Sequence, residues 1–163
     1  MPDPGLRKLT AQLSRKLQQD RLLQETVTQL RYRLNCDRVL LYYFYRQWQG
    51  QVTFESLKAP EFSIFGSTGA DECFNDEYAL LYQQGRIRAI ADIETEPLHP
   101  CHQEFLRSLQ ICANLVVPIL TSRLWGLLIA HDCTKAHTWL TEDIDAMQIA
   151  ANKLALFPTI CEK

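Results

Sequence analysis

The chain has 163 residues, of which 47% are hydrophobic, and this length supports one buried core but not two separate domains. Its 17 lysines and arginines nearly balance 19 acidic residues, so the net charge of -2 argues against nucleic acid or an anionic membrane as a partner. No apolar run approaches the roughly 20 residues of a membrane-spanning helix, and the first residues lack the apolar segment of a signal peptide. We therefore predict a single cytoplasmic domain with no membrane segment in this stretch.

The first half of the chain predicts a long helix followed by two strands. From Leu6 to about Asn35, leucines and valines recur every three, four or six residues, which predicts an amphipathic helix. Its apolar stripe packs on the core alone or also pairs with a partner helix or a second copy. The segments "DRVLLYYFYRQ" and "QGQVTFESLKA" are rich in β-branched and aromatic residues and predict two adjacent strands that meet around Gly50.

The second half predicts three more helices and three more strands. "NDEYALLYQQG" has helical spacing and ends at Gly85, and "RIRAIADI" alternates like a short strand. A third helix begins just past Pro100, and "ANLVVPILTSRLWGLLIAHDC" predicts two central strands with a turn near Ser122. A last helix starts at Thr141, which we expect to act as its N-cap. This order predicts an α+β layout with an antiparallel sheet, helices on one face and loop segments on the other.

Six cysteines are spread along the chain, which in a reducing compartment argues against a disulfide framework. No Cys-Xaa-Xaa-Cys or His-Xaa3-His spacing supports a metal site, so we predict no metal. Cys101 stands at the predicted start of a helix and is followed by His102. Free backbone N–H groups at a helix start stabilise a thiolate, and a neighbouring imidazole can move its proton. Cys101 is therefore the best nucleophile candidate, the alternative being an inert surface cysteine.

Cys73 has the opposite surroundings, because Asp71 and Glu72 precede it and nearby acids disfavour a thiolate. A strongly activated nucleophile is not expected there, whereas reversible addition to a bound electrophile is compatible with it. His131 lies near the end of an apolar strand, where a lone histidine is as a rule a satisfied core or rim residue.

Four segments together point to one family. They are "DECF" at Asp71 to Phe74, "LYQQGRIRAIADI" at Leu81 to Ile93, "CH" at Cys101 and His102, and "ANLVVPILTSRLWGLLIAHDC" at Ala113 to Cys133. In this order and spacing the sequence resembles the bilin-binding GAF domains of cyanobacteriochromes, photoreceptors of cyanobacteria related to phytochromes. The Asp-Xaa-Cys-Phe pattern resembles that of the dual-cysteine subfamily.

The resemblance implies an α+β GAF fold: a central antiparallel sheet with N- and C-terminal helices on one face and chromophore-binding loops and helices on the other. It implies a single GAF domain over residues 1–163, with an N-terminal helical extension at 1–21 and the GAF core at 22–156. It also implies a linear tetrapyrrole as cofactor, phycocyanobilin or phycoviolobilin or both.

The resemblance further implies roles for individual residues. Cys101 forms a thioether to the A-ring side chain, and Cys73 forms a second, reversible thioether at the central bridge. Asp71 contacts pyrrole N–H groups, His102 packs by the rings, and His131 lies toward the D-ring or a propionate. The remaining candidates for contact with the chromophore are Phe74, Tyr82, Arg86 and Trp125.

The sequence departs from the family pattern at the expected propionate anchors. Glu94 stands where many relatives have a tyrosine, and Leu81 replaces an arginine that meets a propionate in some relatives. Arg86 is a candidate substitute, because a guanidinium can form two hydrogen bonds with a carboxylate.

By resemblance the function is light sensing, with isomerisation at the bridge before the D-ring, and the chain is not a turnover enzyme. Output would come from kinase, cyclase or chemotaxis-type domains of a longer parent protein, with a homodimer through the first and last helices. Two alternatives stay open: a GAF domain that binds a cyclic nucleotide or haem, and a thiol enzyme built on Cys101 and His102. Pigmentation after co-expression with a bilin distinguishes the first reading from both.

Overall fold

The fold is described from a computed structural model, which covers residues 3–46, 48–68, 76–157 and 160. Three of the candidate residues, Asp71, Cys73 and Phe74, lie outside the described residues. In the part of the chain that is described, no helix is long and apolar enough to cross a membrane.

The centre of the fold is a five-stranded sheet in which every neighbouring pair is antiparallel. The strands are β1 Arg38–Arg46, β2 Gln49–Leu57, β3 Arg88–Ile90, β4 Ala113–Leu120 and β5 Leu124–Asp132, and their order across the sheet is β2-β1-β5-β4-β3. The two apolar strands expected to be central, β4 and β5, pair with each other as predicted. The predicted antiparallel α+β sheet is therefore confirmed.

Four α-helices lie on the two faces of this sheet. They are α1 Pro4–Leu34, α2 Asp76–Gln83, α3 Pro100–Ser108 and α4 Thr141–Leu156, and a short 3-10 helix covers Pro60–Phe62. The first and last helices pack on the same face: buried side chains of α1, such as Val27, share one apolar core with Met147 of α4 and Leu115 and Leu128 of the sheet. The opposite face carries α2, α3 and the 3-10 segment, as the prediction required.

Strand alternation sends neighbouring residues to these two faces. On β1, Val39 and Leu41 belong to the core shared with α1 and α4, whereas Leu40 and Tyr42 line a cavity on the other side. Period-two alternation is the expected geometry of a strand whose two faces are both covered. The strand β1 therefore contacts α1 and α4 on one face of the sheet and lines the cavity on the other.

Two local predictions were wrong. Gly50 lies inside β2, paired with Phe44, so the reversal between the strands falls before it. The N-cap of α4 is Leu140 rather than Thr141, and its backbone N–H donates to Asp143 Oδ2 at 3.1 Å. The acid at the third helical position thus satisfies the orphan N–H, and no capping hydroxyl is needed.

The first half of α1 extends beyond the core. Leu6, Leu9, Leu13 and Leu17 are between 58% and 63% exposed, and Leu23 is the first buried residue of the helix. The helix then ends at Leu34, where Asn35 takes a left-handed conformation with φ 49°. Asparagine is one of the few residues that adopts this conformation at low cost, which explains the position of the helix end.

Candidate functional site

A cavity of about 210 Å³ separates the sheet from α2 and α3. The sheet contributes apolar side chains from β1, β4 and β5, including Leu40, Val116 and Ile129. The opposite wall is built by two tyrosines of α2 and by the apolar face of α3, together with residues 97–99 and the segment around Ile64. The walls are mostly apolar with a few polar groups, which is typical of a site for a small organic ligand.

Three polar residues form a line across the sheet, of which His131 and Asn114 line the cavity and Arg38 lies beside them. Arg38 of β1 pairs with His131 of β5, and His131 pairs on its other side with Asn114 of β4. Paired residues of adjacent strands point to the same face and lie close together. All three side chains are buried, at 0%, 3% and 5% exposure for Arg38, His131 and Asn114.

Arg38 is held by three hydrogen bonds. Its Nε donates to His131 Nδ1 at 3.0 Å, Nη1 donates to the carbonyl of Phe62 at 2.6 Å, and Nη2 donates to the carbonyl of Leu109 at 2.8 Å. Phe62 is the last residue of the 3-10 helix, and Leu109, which lines the cavity, directly follows α3. Arg38 therefore ties both segments to the sheet.

The bond from Arg38 also fixes the state of His131. A guanidinium has no acceptor atom and keeps its protons, so Nδ1 must accept and the imidazole is neutral with its proton on Nε2. Burial, together with the charge of Arg38, holds the pKa of His131 well below its usual value. His131 lines the cavity, and its Nε2–H group is the hydrogen-bond donor that it can offer there.

We expect this neutral histidine to make the protein acid-sensitive. An unfolded chain takes up a proton at His131 near pH 6.5 while the folded protein does not, so stability is present above that pH and is lost as the pH falls. Below it, the free energy of unfolding of the wild type should fall by about 1.4 kcal/mol per pH unit more steeply than that of His131→Gln, which keeps an acceptor for Arg38. Urea titrations from about pH 7 to 5 measure both slopes. Equal slopes in the two proteins would contradict the prediction.

Asn114 presents an acceptor without a partner. Its Oδ1 is buried, and among the described residues it is the one buried side-chain oxygen or nitrogen that makes no hydrogen bond. Asn114 lines the cavity beside His131. A buried amide oxygen normally has a hydrogen-bond partner, so we expect a ligand in the cavity to supply the donor for Asn114 Oδ1.

The rim of the cavity carries the aromatic and cationic candidates. Tyr78 of α2 stacks on His102 of α3, with ring centroids 6.1 Å apart, and burial raises the pKa of Tyr82 to about 12. Burial lowers the pKa of His102, and the charges of Arg88 and Arg86 lower it further. Three of the residues singled out in the sequence, His102, Tyr82 and Arg86, thus line one cavity.

Cys101 lies in the first turn of α3, at the edge of this rim. Its backbone N–H donates to Nδ1 of His99, the N-cap residue, at 3.1 Å. His99 and His102 on either side of it line the cavity, whereas Cys101 itself does not. Its sulfur is disulfide-bonded, which differs from the expectation of reduced cysteines, while Cys36, Cys112 and Cys133 are free thiols. Reasoning from cellular compartment could not find this bond, because it depends on distance in the fold.

Trp125 does not lie where the sequence placed it. Its ring contacts Tyr43, with centroids 5.0 Å apart, in the core under α1 and α4, on the face opposite the cavity. Strict alternation from Leu127, which faces the cavity, would have brought Trp125 there too. A register irregularity between Ile119 and Leu120 leaves one extra residue on β5 at this point. One extra residue turns the following side chains to the other face, so Trp125 is a core residue.

Two cations, Arg86 and Arg88, are among the residues that line the cavity. Arg88 also contacts Glu96 at 3.4 Å. Glu94, which replaces a family tyrosine, points to solvent and binds Arg107 instead, with Arg107 Nε donating to its Oε1 at 2.8 Å. The guanidinium groups of Arg86 and Arg88 are thus the ones placed to meet ligand carboxylates.

Sequence reasoning missed Arg38, Asn114, Tyr78 and Arg88, among other residues of the site. Two of these carried a signal, since Arg38 is the first residue of β1 and Asn114 the second residue of β4, and both strands are mostly apolar. A charged or amide side chain on the buried face of such a strand must find a partner or serve a ligand. Pairing these positions required the sheet order, in which β5 lies between β1 and β4.

The sequence model of the GAF domain matches residues 18–156. The chain belongs to the GAF family. An uncharacterised protein of Picosynechococcus sp. is 49% identical over 95% of this chain and 96% of its own length. A putative methyl-accepting chemotaxis protein of Synechocystis sp. is 38% identical over 86% of this chain, which corresponds to only 14% of that protein. Among relatives of this GAF domain, then, are segments of larger sensory proteins.

Solved structures give the same fold. The blue-light absorbing form of the Thermosynechococcus elongatus PixJ GAF domain superposes with a TM-score of 0.82 at 34% identity, over 92% of this chain and 89% of that one. The phycocyanobilin-bound GAF domain of a cyanobacterial phytochrome superposes with a TM-score of 0.79 at 27% identity, over 96% and 92%. The GAF fold predicted from the sequence is therefore confirmed, and the chain is similar to bilin-binding photoreceptor GAF domains.

Proposed function

We propose that this GAF domain is a light-sensing module that binds a linear tetrapyrrole covalently and converts between two coloured states. The observation that carries the proposal is the cavity between the sheet and α2 and α3, bordered by the helix start that bears Cys101. Similarity to a blue-light absorbing GAF domain and to a phycocyanobilin-bound one supports it. When bound, the bilin supplies visible absorption and double-bond isomerisation at the bridge before its D-ring.

The residues of the cavity fit such a group. A bilin has flat apolar rings, several N–H donors, terminal carbonyls and two propionates. The floor offers a hydrogen-bond donor at His131 Nε2 and an acceptor without a partner at Asn114 Oδ1. Arg86 and Arg88 line the same cavity and offer positive charge. Apolar side chains of β1, β4 and β5 supply the remaining surface.

Cys101 is proposed as the attachment residue. Its position in the first turn of α3 exposes the thiol to the unpaired N–H groups and the positive end of the helix, which stabilise the thiolate. His102, whose pKa is lowered by burial and the neighbouring arginines, is predominantly neutral at physiological pH and can take the thiol proton. Attachment requires a reduced sulfur, so the disulfide at Cys101 must first be opened.

The remaining parts of the proposal come from the resemblance. Cys73 would add reversibly to the central bridge of the bilin, as in the dual-cysteine subfamily, and Asp71 would accept pyrrole N–H groups. The ligand would be phycocyanobilin or phycoviolobilin. The domain would turn over no substrate and would pass its signal to kinase, cyclase or chemotaxis-type output domains, with a homodimer through α1 and α4 and a location in the cytoplasm.

Co-expression with a phycocyanobilin supply, under reducing conditions, tests the proposal. The purified protein should be coloured, and its spectrum before and after blue light should differ reversibly. Acid denaturation then separates bound phycocyanobilin from phycoviolobilin. In Cys73→Ala, loss of the blue-absorbing state is expected if the second linkage operates, and an unchanged spectrum would exclude that linkage only. A colourless protein would refute the function itself.

A further inference from the structure

Along the line of Arg38, His131 and Asn114, the side chains have defined roles as hydrogen-bond donors and acceptors. On one side Arg38 forces the proton of His131 onto Nε2, and on the other side Asn114 holds an acceptor that nothing in the described residues satisfies. A donor and an acceptor thus stand side by side on paired positions of β5 and β4.

We infer that Asn114 and His131 together recognise one lactam ring at an end of the bound tetrapyrrole, with Arg38 as the residue that positions His131. A lactam carries a C=O and an N–H on neighbouring atoms. His131 Nε2–H donates to the C=O, and Asn114 Oδ1 accepts from the N–H. This inference rests on the proposed function, and it assigns a ligand contact to Asn114 and a positioning role to Arg38.

The burial of Asn114 is the reason to assign it a ligand. An amide oxygen that is buried without a partner destabilises the empty protein, whereas an apolar side chain of the same size would not. Asn114 is 5% exposed and lines the cavity. The unpartnered oxygen therefore lowers the stability of the ligand-free protein, and a bound N–H group removes this penalty.

The orientation of His131 is equally specific. Without Arg38, a neutral imidazole could place its proton on either nitrogen, and half of these states would offer the ligand an acceptor instead of a donor. Two acceptors side by side would repel a lactam carbonyl. The hydrogen bond of 3.0 Å from Arg38 Nε to His131 Nδ1 removes that state.

The first test measures reversible binding of phycocyanobilin in a Cys101→Ala background, by quenching of tryptophan fluorescence. Asn114→Leu removes the acceptor with a side chain of the same branching and the same number of heavy atoms, and it should raise the Kd about tenfold. The same substitution should raise the melting temperature of the ligand-free protein by a few degrees, because it removes an unsatisfied polar atom. A residue with only a structural role would not weaken ligand binding while stabilising the ligand-free protein.

The matched control is Ile129→Leu, a volume-conserving change at an apolar residue of the same cavity. It should leave the Kd within about twofold. If Asn114→Leu binds as tightly as Ile129→Leu, the inference fails while the proposed function stands. If the wild-type protein takes up no bilin, the proposed function fails and this inference with it.

The second test needs neither ligand nor a destabilising variant. Nitrogen-15 NMR of histidine-labelled wild-type protein should show one neutral ring protonated on Nε2 from about pH 6 to 8, assigned through its absence in His131→Gln. A ring protonated on Nδ1, or a doubly protonated ring in this range, would overturn the positioning role of Arg38.

Discussion

Replacing Cys101 by alanine is expected to abolish the permanent attachment of the bilin that survives denaturation, because the second linkage proposed for Cys73 is reversible. Cys101 is the cysteine that combines a helix start with neighbours that line the cavity, His99 and His102. Without its thiol no other described cysteine can reach the ligand from this rim. The measurement is zinc-enhanced fluorescence of the protein band on a denaturing gel, after co-expression with a phycocyanobilin supply under reducing conditions.

Cys112→Ala is the matched control for this experiment. Cys112 is a free, half-buried thiol that does not line the cavity, and its pKa is raised, mainly by burial and also by nearby acids. Its removal should leave the fluorescent band unchanged. A Cys101→Ala protein that retained a covalent bilin would show that attachment occurs elsewhere, even if the domain still responded to light.

Arg38→Met is expected to cause the largest loss of stability among substitutions at the cavity. The change leaves His131 Nδ1 and the carbonyls of Phe62 and Leu109 without their donor in a buried place. Removing a buried charged donor from several partners should lower the free energy of unfolding by about 3–5 kcal/mol. For a domain of this size the melting temperature should fall by roughly 6–20 °C, as measured by circular dichroism.

Arg107→Met provides the comparison. Arg107 makes an ion pair with Glu94, but both side chains are about half exposed, at 52% and 53%, and solvent-exposed pairs contribute little. Its removal should hardly change the melting temperature. Arg38→Lys keeps the charge but cannot make the same three bonds, so it should fall between wild type and Arg38→Met. An Arg38→Met protein as stable as Arg107→Met would contradict the role of the buried guanidinium.

The elements of the fold could be predicted because each follows a local pattern. The leucine spacing of α1 and the apolar runs of β4 and β5 gave their type and approximate ends. The capping of α4 could not be read in the same way, because a threonine at the N-cap and an acid at the third helical position are both common at helix starts and here imply starts one residue apart. Asp143 accepts from the backbone N–H of Leu140, and Thr141 is the first helical residue.

The residues of the candidate site likewise fall into two groups, those that could be predicted from the sequence and those that could not. Motif residues such as His102, Tyr82 and Arg86 could be placed by resemblance, and the structure brings them to one cavity. Trp125 was misplaced because a single extra residue on β5 reverses the alternation, and no local sequence pattern announces such an irregularity. The link from Arg38 to His131 spans 93 positions in sequence, so only the strand order could reveal it.

The unsupported first half of α1 gives the domain a mechanical arm. Residues 4–22 precede the first buried residue and reach about 28 Å at 1.5 Å per residue. Its base packs on one face of β1 and β2, and side chains on the other face of these strands line the cavity. Only the thickness of the sheet therefore separates a ligand in the cavity from the helix. A tilt of about 5° at the base displaces the tip by about 2 to 3 Å over that length. Small rearrangements around a ligand are thereby enlarged at the tip, where four leucines face solvent.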